Sequence, residues 1–134
     1  MPGYSGTPLP KKLGIKDGKC VHFVGLPSEV GKELKPALSK CVHVDSTGHP
    51  ADFAMVFTKS RSELTKAFKD LAQQLDPAGM LWVSWPKKSS GVTTDLDENI
   101  VRETGLSAGL VDVKVCAVTE IWSGLKFVRR LKDR

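Results

Sequence analysis

Three consecutive stretches constrain this chain more than any others: ADFAMVFT (Ala51 to Thr58), a helical-period run opened by Ser60-x-x-Glu63, and MLWVSW (Met80 to Trp85). The first and last are short and almost wholly apolar, the pattern of strands covered on both faces. Between them Leu64, Ala67, Phe68, Leu71, Ala72 and Leu75 recur at helical spacing behind a capping box, and Asp76-Pro77-Ala78-Gly79 stops the run. Strand, amphipathic helix, strand reads as a crossover unit, which joins parallel strands and covers a sheet with helices.

The flanking segments extend that unit. Cys20 to Gly25 reads as a buried strand ended by Gly-Leu-Pro, and Ser28 caps a short helix through Leu38 that Gly31 and Pro36 interrupt. Cys41 to Asp45 is a second short strand, and STGHPA is a turn. Beyond Trp85, Thr94 or Asp95 opens a helix with Leu96, Ile100 and Val101 on its apolar side, ending at Gly105. Val111 to Val118 and Leu125 to Val128, with a turn at Ser123-Gly124, read as an antiparallel pair. The expected fold is α/β, a three-layer sandwich around a mostly parallel sheet with a C-terminal antiparallel hairpin. Residues 1–18 hold four glycines and three prolines, an extended arm with one helical turn near Leu9 to Leu13, and residues 19–134 form a single domain.

A chain of 134 residues can bury a core without disulfides or metal, and three scattered cysteines suit a reducing compartment. No apolar run approaches the roughly 20 residues that span a bilayer, and MPGYSGTPLPKK lacks the apolar centre of a signal peptide, so a cytoplasmic location is expected. The net charge of +5 is uneven: Lys87-Lys88 and KFVRRLKDR are basic, Thr94 to Glu120 acidic. Without a recognition motif or a basic stripe interleaved with aromatics, that charge reads as a solvated surface and argues against a nucleic-acid partner.

KCVHFV and KCVHVD pose a sharper question. Positions i and i+2 of a strand share a face, so Cys20 with His22 and Cys41 with His43 could each present a ligand pair to zinc. Structural zinc pairs sit on tight turns with two to four intervening residues, however, and here one residue intervenes within a strand. Both cysteines also begin their strands, whereas ligand sites of open α/β sheets gather at the carboxyl ends. The expectation is no metal, with both histidines as hydrogen-bonded packing residues.

KLGIKDGKCVHFVG is similar to the stretch leading into the first strand of class I S-adenosylmethionine-dependent methyltransferases, and LAQQLDPAGMLWVSWP resembles their helix, Pro-Gly turn and fifth strand. The terminal hairpin resembles that fold's reversed last strand. The resemblance implies a Rossmann-like sandwich. Where the family carries a Gly-x-Gly-x-Gly loop, this chain has Phe23-Val24-Gly25-Leu26-Pro27-Ser28, so only Gly25 matches, and Leu26-Pro27 adds bulk and removes an amide donor. Asp45 matches the acidic position that holds the cofactor ribose. From Asp45 to Asp52 the chain is too short for a helical crossover, so the family's third strand and its helix are expected to be missing. The resemblance thus implies a reduced fold without a cofactor, the alternative being an active methyltransferase with an atypical loop using Gly25 and Asp45. Through LWVSWPKKSSGVTTDLDE and DVKVCAVTEIWSGLKFVRR the chain resembles, more closely, a bacterial family of small proteins of unknown function.

In a doubly wound sheet the loops after Val24, Asp45, Thr58 and Trp85 share the edge where ligands bind. That edge would gather Lys59, Arg61, Trp85, Lys87, Lys88, Ser89, Ser90 and Gly91, which supply positive charge, hydroxyls and amide donors for a phosphate or carboxylate. The spacing is not that of a P-loop. Trp82 and Trp85 point to opposite faces, one into the core and Trp85 exposed at the edge, while Trp122 reads as a hairpin packing residue or an interface anchor. No nucleophile elbow or paired carboxylate motif is present, and His49 beside Pro50 reads as an exposed turn residue. The expected function is non-enzymatic: binding of a small anionic ligand or a protein partner.

Overall fold

Among the described residues, four α-helices and six strands follow one another as α1 (Leu9–Leu13), β1 (Cys20–Val24), α2 (Ser28–Leu38), β2 (Val42–His43), β3 (Ala51–Phe57), α3 (Arg61–Gln74), β4 (Leu75–Pro86), α4 (Glu98–Ser107), β5 (Leu110–Ala117) and β6 (Trp122–Arg129). The computed structural model describes residues 7–45 and 49–134; Ser46 to Gly48 of the expected STGHPA turn, and Met1 to Gly6 of the expected arm, lie outside them. All six strands form one sheet in the order β2-β1-β3-β4-β6-β5. β2, β1, β3 and β4 are mutually parallel, and β6 runs antiparallel to both β4 and β5.

Alternation along the strands divides the core into two layers. Val21, Phe53, Met55, Trp82 and Trp122 meet Leu9 and Leu13 of α1 and Val30, Leu34 and Leu38 of α2. On the other face Ala54, Val56, Leu81, Val83, Trp85, Leu125 and Phe127 meet Leu64, Phe68 and Leu71 of α3 and Val101 of α4. Each fully buried aliphatic or Phe side chain contributes about 1.5–3 kcal/mol, so both layers matter to stability. The segment expected as a lead-in arm joins the first layer: the Trp82 indole, fully buried, donates from Nε1 to the Leu13 carbonyl at 2.9 Å. That bond satisfies the indole's one donor and fixes α1 to the sheet.

Several boundaries differ from the sequence reading. Ser28 begins α2 instead of capping it; Pro27 precedes the helix, with no side-chain cap. Gly31 and Pro36 do not interrupt it, since the helix continues to Leu38 and Pro36 falls in its last turn. β2 shrinks to two residues. β4 starts at Leu75, because Asp76 to Gly79 form a bulge closed by Ala78 N donating to Asp76 Oδ1 at 3.0 Å, and pairing with β3 jumps from Ala51–Leu75 to Phe53–Met80. α4 is capped by Asp97, whose side chain accepts from Ile100 N at 2.8 Å. The hairpin turn lies at Val118 to Ile121, with Thr119 Oγ1 accepting from Ile121 N at 3.0 Å.

Candidate functional site

The parallel strands place the ends of β1, β3 and β4 on one edge of the sheet, as a doubly wound fold requires. At the end of β1, Gly25 has φ 69°, and a Cβ there would lie 2.7 Å from the Phe57 carbonyl oxygen, so no other residue fits. Leu26 is partly buried in the α1–α2 layer, filling the space beneath the first turns of α2.

At the ends of β3 and β4 the two loops are stitched together. Thr94 Oγ1 donates to the Lys59 carbonyl at 2.6 Å, and Arg61 N donates to Asp95 Oδ1 at 2.7 Å. Thr94 and Asp95 therefore serve this seam, which explains why neither caps α4. Lys87 to Gly91 form a defined turn: Lys87 N donates to the Ile121 carbonyl at 2.8 Å, Ser90 Oγ donates to the Lys87 carbonyl at 2.6 Å, and Gly91 takes φ 77°. Lys59, Arg61, Lys88 and Ser89 are exposed and Lys87 is half-buried. The structure thus gathers the expected cations on one edge, but the first amide of α3 holds the chain's own Asp95 carboxylate and the Ser90 hydroxyl closes its own loop.

Trp85 departs from expectation. It is 5% exposed and packs in the α3–α4 layer, because Pro86 continues β4 beyond it and Leu96 folds over the same layer. Trp82 and Trp122 are buried on the opposite layer, with Trp122 edge-on to Phe57 at 5.3 Å between ring centroids. Gly25 abuts the end of β3 at Phe57, and Asp45 lies two residues beyond β2, where its carbonyl accepts from Gln74 Nε2 of α3.

The register of β1 and β2 separates the two Cys-x-His pairs. Cys20 pairs with Val42 and Val21 with His43, so Cys20 and His22 lie on one face of the sheet, Cys41 and His43 on the other. His22 Nδ1 donates to the Val44 carbonyl at 2.8 Å and His43 Nε2 to the Leu38 carbonyl at 3.0 Å. Burial, then the charge of Asp17, pushes the Cys41 thiol up, away from the thiolate a metal needs.

One concavity was not anticipated. Between α3 and α4 runs an open groove of about 710 Å³, with Phe68, Ala72 and Ala108 as its apolar surface. Arg61, Thr65, Lys69 and Gln73 line it from α3, Glu103, Thr104 and Ser107 from α4, and Arg129 enters from β6. Arg129 is held by its Nη2, which donates to the carbonyls of Ala72 and Leu75 at the end of α3. Three cations face one carboxylate. Two signals for it were present in the sequence: 61, 65, 69 and 73 follow an i+4 row along α3, and Arg129 continues the inward alternation of Leu125 and Phe127. The basic composition of the tail masked the second signal.

A family model described as Protein of unknown function (DUF3052) matches residues 10–131. The chain belongs to the DUF3052 family. No curated protein matches it. Among solved structures, the DUF3052 chain is similar to a putative type 11 methyltransferase from Sulfolobus solfataricus, at TM-score 0.62 and 15% identity over 91% of this chain and 89% of that one. A SAM dependent methyltransferase from Aquifex aeolicus gives TM-score 0.61 and 18% identity, covering 87% and 85%. Magnesium protoporphyrin IX methyltransferase from Synechocystis PCC 6803, with bound SAH, gives 0.58 and 14%, covering 91% and 78%. At these identities the likeness is one of fold: the DUF3052 chain has a methyltransferase-like, Rossmann-like α/β architecture. Among the described residues, no helix is long and apolar enough to cross a membrane.

Proposed function

We propose that this DUF3052 chain is a non-enzymatic, methyltransferase-like domain that binds a small anionic ligand with an apolar body in the α3–α4 groove. The observation that carries this reading is the composition of the groove: Arg61, Lys69 and Arg129 against Glu103, around Phe68, Ala72 and Ala108. Its volume of about 710 Å³ falls within the roughly 300–1,000 Å³ range of small-molecule sites. Lys59, Lys87 and Lys88 at the adjoining edge add to the field that draws an anion. Leu26 and Pro27 support the non-enzymatic half of the reading. Leu26 fills space beneath α2, and Pro27 contributes no amide donor where a methyltransferase loop approaches its cofactor.

The test uses 1-anilinonaphthalene-8-sulfonate, an aromatic body carrying one sulfonate, titrated against the folded protein by fluorescence. One saturable site is expected. Arg61→Glu with Lys69→Glu should weaken binding at least tenfold, and Ala108→Trp should abolish it by filling the groove, with the melting temperature of each variant recorded as a check on folding. Binding unchanged in all variants, or no saturable binding to the wild type, refutes the groove as the site.

A further inference from the structure

The α3–α4 groove is longer than it is wide. β3, β4 and β5 run in the same direction, so α3 and α4 each leave one edge of the sheet, return to the other and lie parallel. Arg61 stands in the first turn of α3, and Arg129 lies at its end, where Nη2 donates to the Ala72 and Leu75 carbonyls. From Arg61 to Ala72 the helix advances about 16 Å, at about 1.5 Å per residue. A volume of about 710 Å³ drawn out over that length leaves a cross-section of about 45 Å², whereas a helix with its side chains, about 10–12 Å across, needs roughly twice that. The groove therefore admits a slender molecule and excludes a helix.

Its charges are spread along that length. Phe127 ties the two helices to a common level, since its ring stands edge-on to Phe68 of α3 and occupies the place of a Cβ at Gly105 of α4. Glu103 precedes this level on α4 and Lys69 follows it on α3, so Glu103 projects from the stretch between Arg61 and Lys69. A compact polyanion would meet only part of the positive charge and would face Glu103 as well, whereas two anionic groups held apart by an uncharged stem avoid that repulsion. At the far end Arg129 answers the partial negative charge at the C-terminus of α3 through Nη2, and those carbonyls do not engage its Nη1 and Nε. Phe68 and Ala72 floor the groove between its ends, and the methylene stems of Arg61 and Lys69 extend the apolar surface.

We propose that the groove selects an elongated dianion, a long-chain α,ω-dicarboxylate, an assignment that rests on the groove reading above and adds the shape and charge of what it takes. One carboxylate sits on Arg129 and Lys69, the other on Arg61, and the methylene chain lies over Phe68 and Ala72. A guanidinium at each end suits a carboxylate, because its planar fork can hold both oxygens. Each methylene laid on the floor leaves water and adds to affinity. A chain too short to span the groove loses part of that burial and the second ion pair with it. Arg61 is exposed, so its pair adds a modest, salt-sensitive increment, while the half-buried Arg129 anchors the ligand.

The experiment is calorimetric titration of the full chain at low salt with tetradecanedioate, tetradecanoate, octanedioate and octanoate, each below its micellar concentration, and with pyrophosphate. Tetradecanedioate should bind at least threefold tighter than tetradecanoate, whereas octanedioate should hold no advantage over octanoate, a comparison that needs no variant. The advantage of the long dianion should shrink as salt rises, disappear in Arg61→Gln and persist in Arg61→Lys. Tetradecanedioate should also displace 1-anilinonaphthalene-8-sulfonate, which places both in one site. Saturable binding of the sulfonate with no advantage of tetradecanedioate over tetradecanoate overturns the dianion assignment and leaves the groove reading standing. Tighter binding of pyrophosphate than of tetradecanedioate does the same. Absence of saturable sulfonate binding overturns both.

Discussion

Gly105→Ala should destabilise this protein although alanine is the better helix former. A Cβ at Gly105 would lie 2.0 Å from Phe127 Cε1, 2.5 Å from Cδ1 and 2.6 Å from Cζ. Ordinary carbon contacts begin near about 3.5 Å, so ring and helix must separate by more than an ångström. The ring has nowhere to go: Phe127 is fully buried, and its edge-to-face partner Phe68 stands 5.3 Å away on α3. Overpacking of this kind costs about 1–3 kcal/mol, and a fully enclosed ring places it at the upper end. Replacing a mid-helix glycine returns about 1 kcal/mol. The net loss is therefore about 2 kcal/mol, or a fall in Tm of roughly 5–10 °C for a chain of this size. Urea unfolding followed by circular dichroism measures it, with Gly31→Ala as the control. At Gly31 the nearest atom to a new Cβ is Leu26 Cδ2 at 3.5 Å, an ordinary contact, so that variant should gain up to about 1 kcal/mol. Gly105→Ala combined with Phe127→Leu should lose less than the sum of the single changes. A neutral or stabilising Gly105→Ala would refute the claim that Phe127 sets the α4–sheet distance.

Asp97→Ala removes the acceptor for Ile100 N and should lower stability by about 1 kcal/mol, read by the same unfolding assay, whereas Thr94→Ala should leave the start of α4 intact. Lys126 is held below the ordinary lysine value of 10.5 by burial and by Lys114 and Lys16. The unfolded chain therefore binds more protons than the folded one between the folded pKa and 10.5, and this residue's contribution to stability rises with pH across that window. Lys126→Met should melt above the wild type at pH 7, with the gap narrowing as the pH approaches 10.5; a gap that widens would contradict the like-charge reading. S-adenosylmethionine should bind no tighter than about 1 mM, roughly −4 kcal/mol, in a calorimetric titration. Micromolar affinity would favour an active methyltransferase whose loop departs from the glycine pattern.

The crossover unit was legible because its signals are local. The apolar runs of β3 and β4, the cap at Ser60 and the period of α3 each follow from main-chain geometry over a few residues, and together they dictate a layered, mostly parallel sheet. The shortness of the Asp45 to Asp52 connection likewise excluded a helical crossover, and among the described residues β3 is the next element after β2. Glycines were the systematic failure. Gly105 reads as a helix stop and Gly124 as a turn, yet Gly105 lies inside α4 and Gly124 inside β6. A Cβ at Gly124 would lie 2.9 Å from Val118 Cγ2 and 3.2 Å from the Trp82 ring. Both positions are glycine because side chains from other elements occupy the space, the Phe127 ring at Gly105 and Val118 with the Trp82 ring at Gly124, and a local pattern carries no information about partners brought there by folding. The same reason separates the two candidate sites. Loops at strand ends can be placed from strand direction alone, so Lys59, Arg61 and Lys87 were expected on one edge. The α3–α4 groove and the lysines around β5 depend on how far two helices splay and on which register sets Lys114 beside Lys126, and these distances are decided only when the packed layers meet.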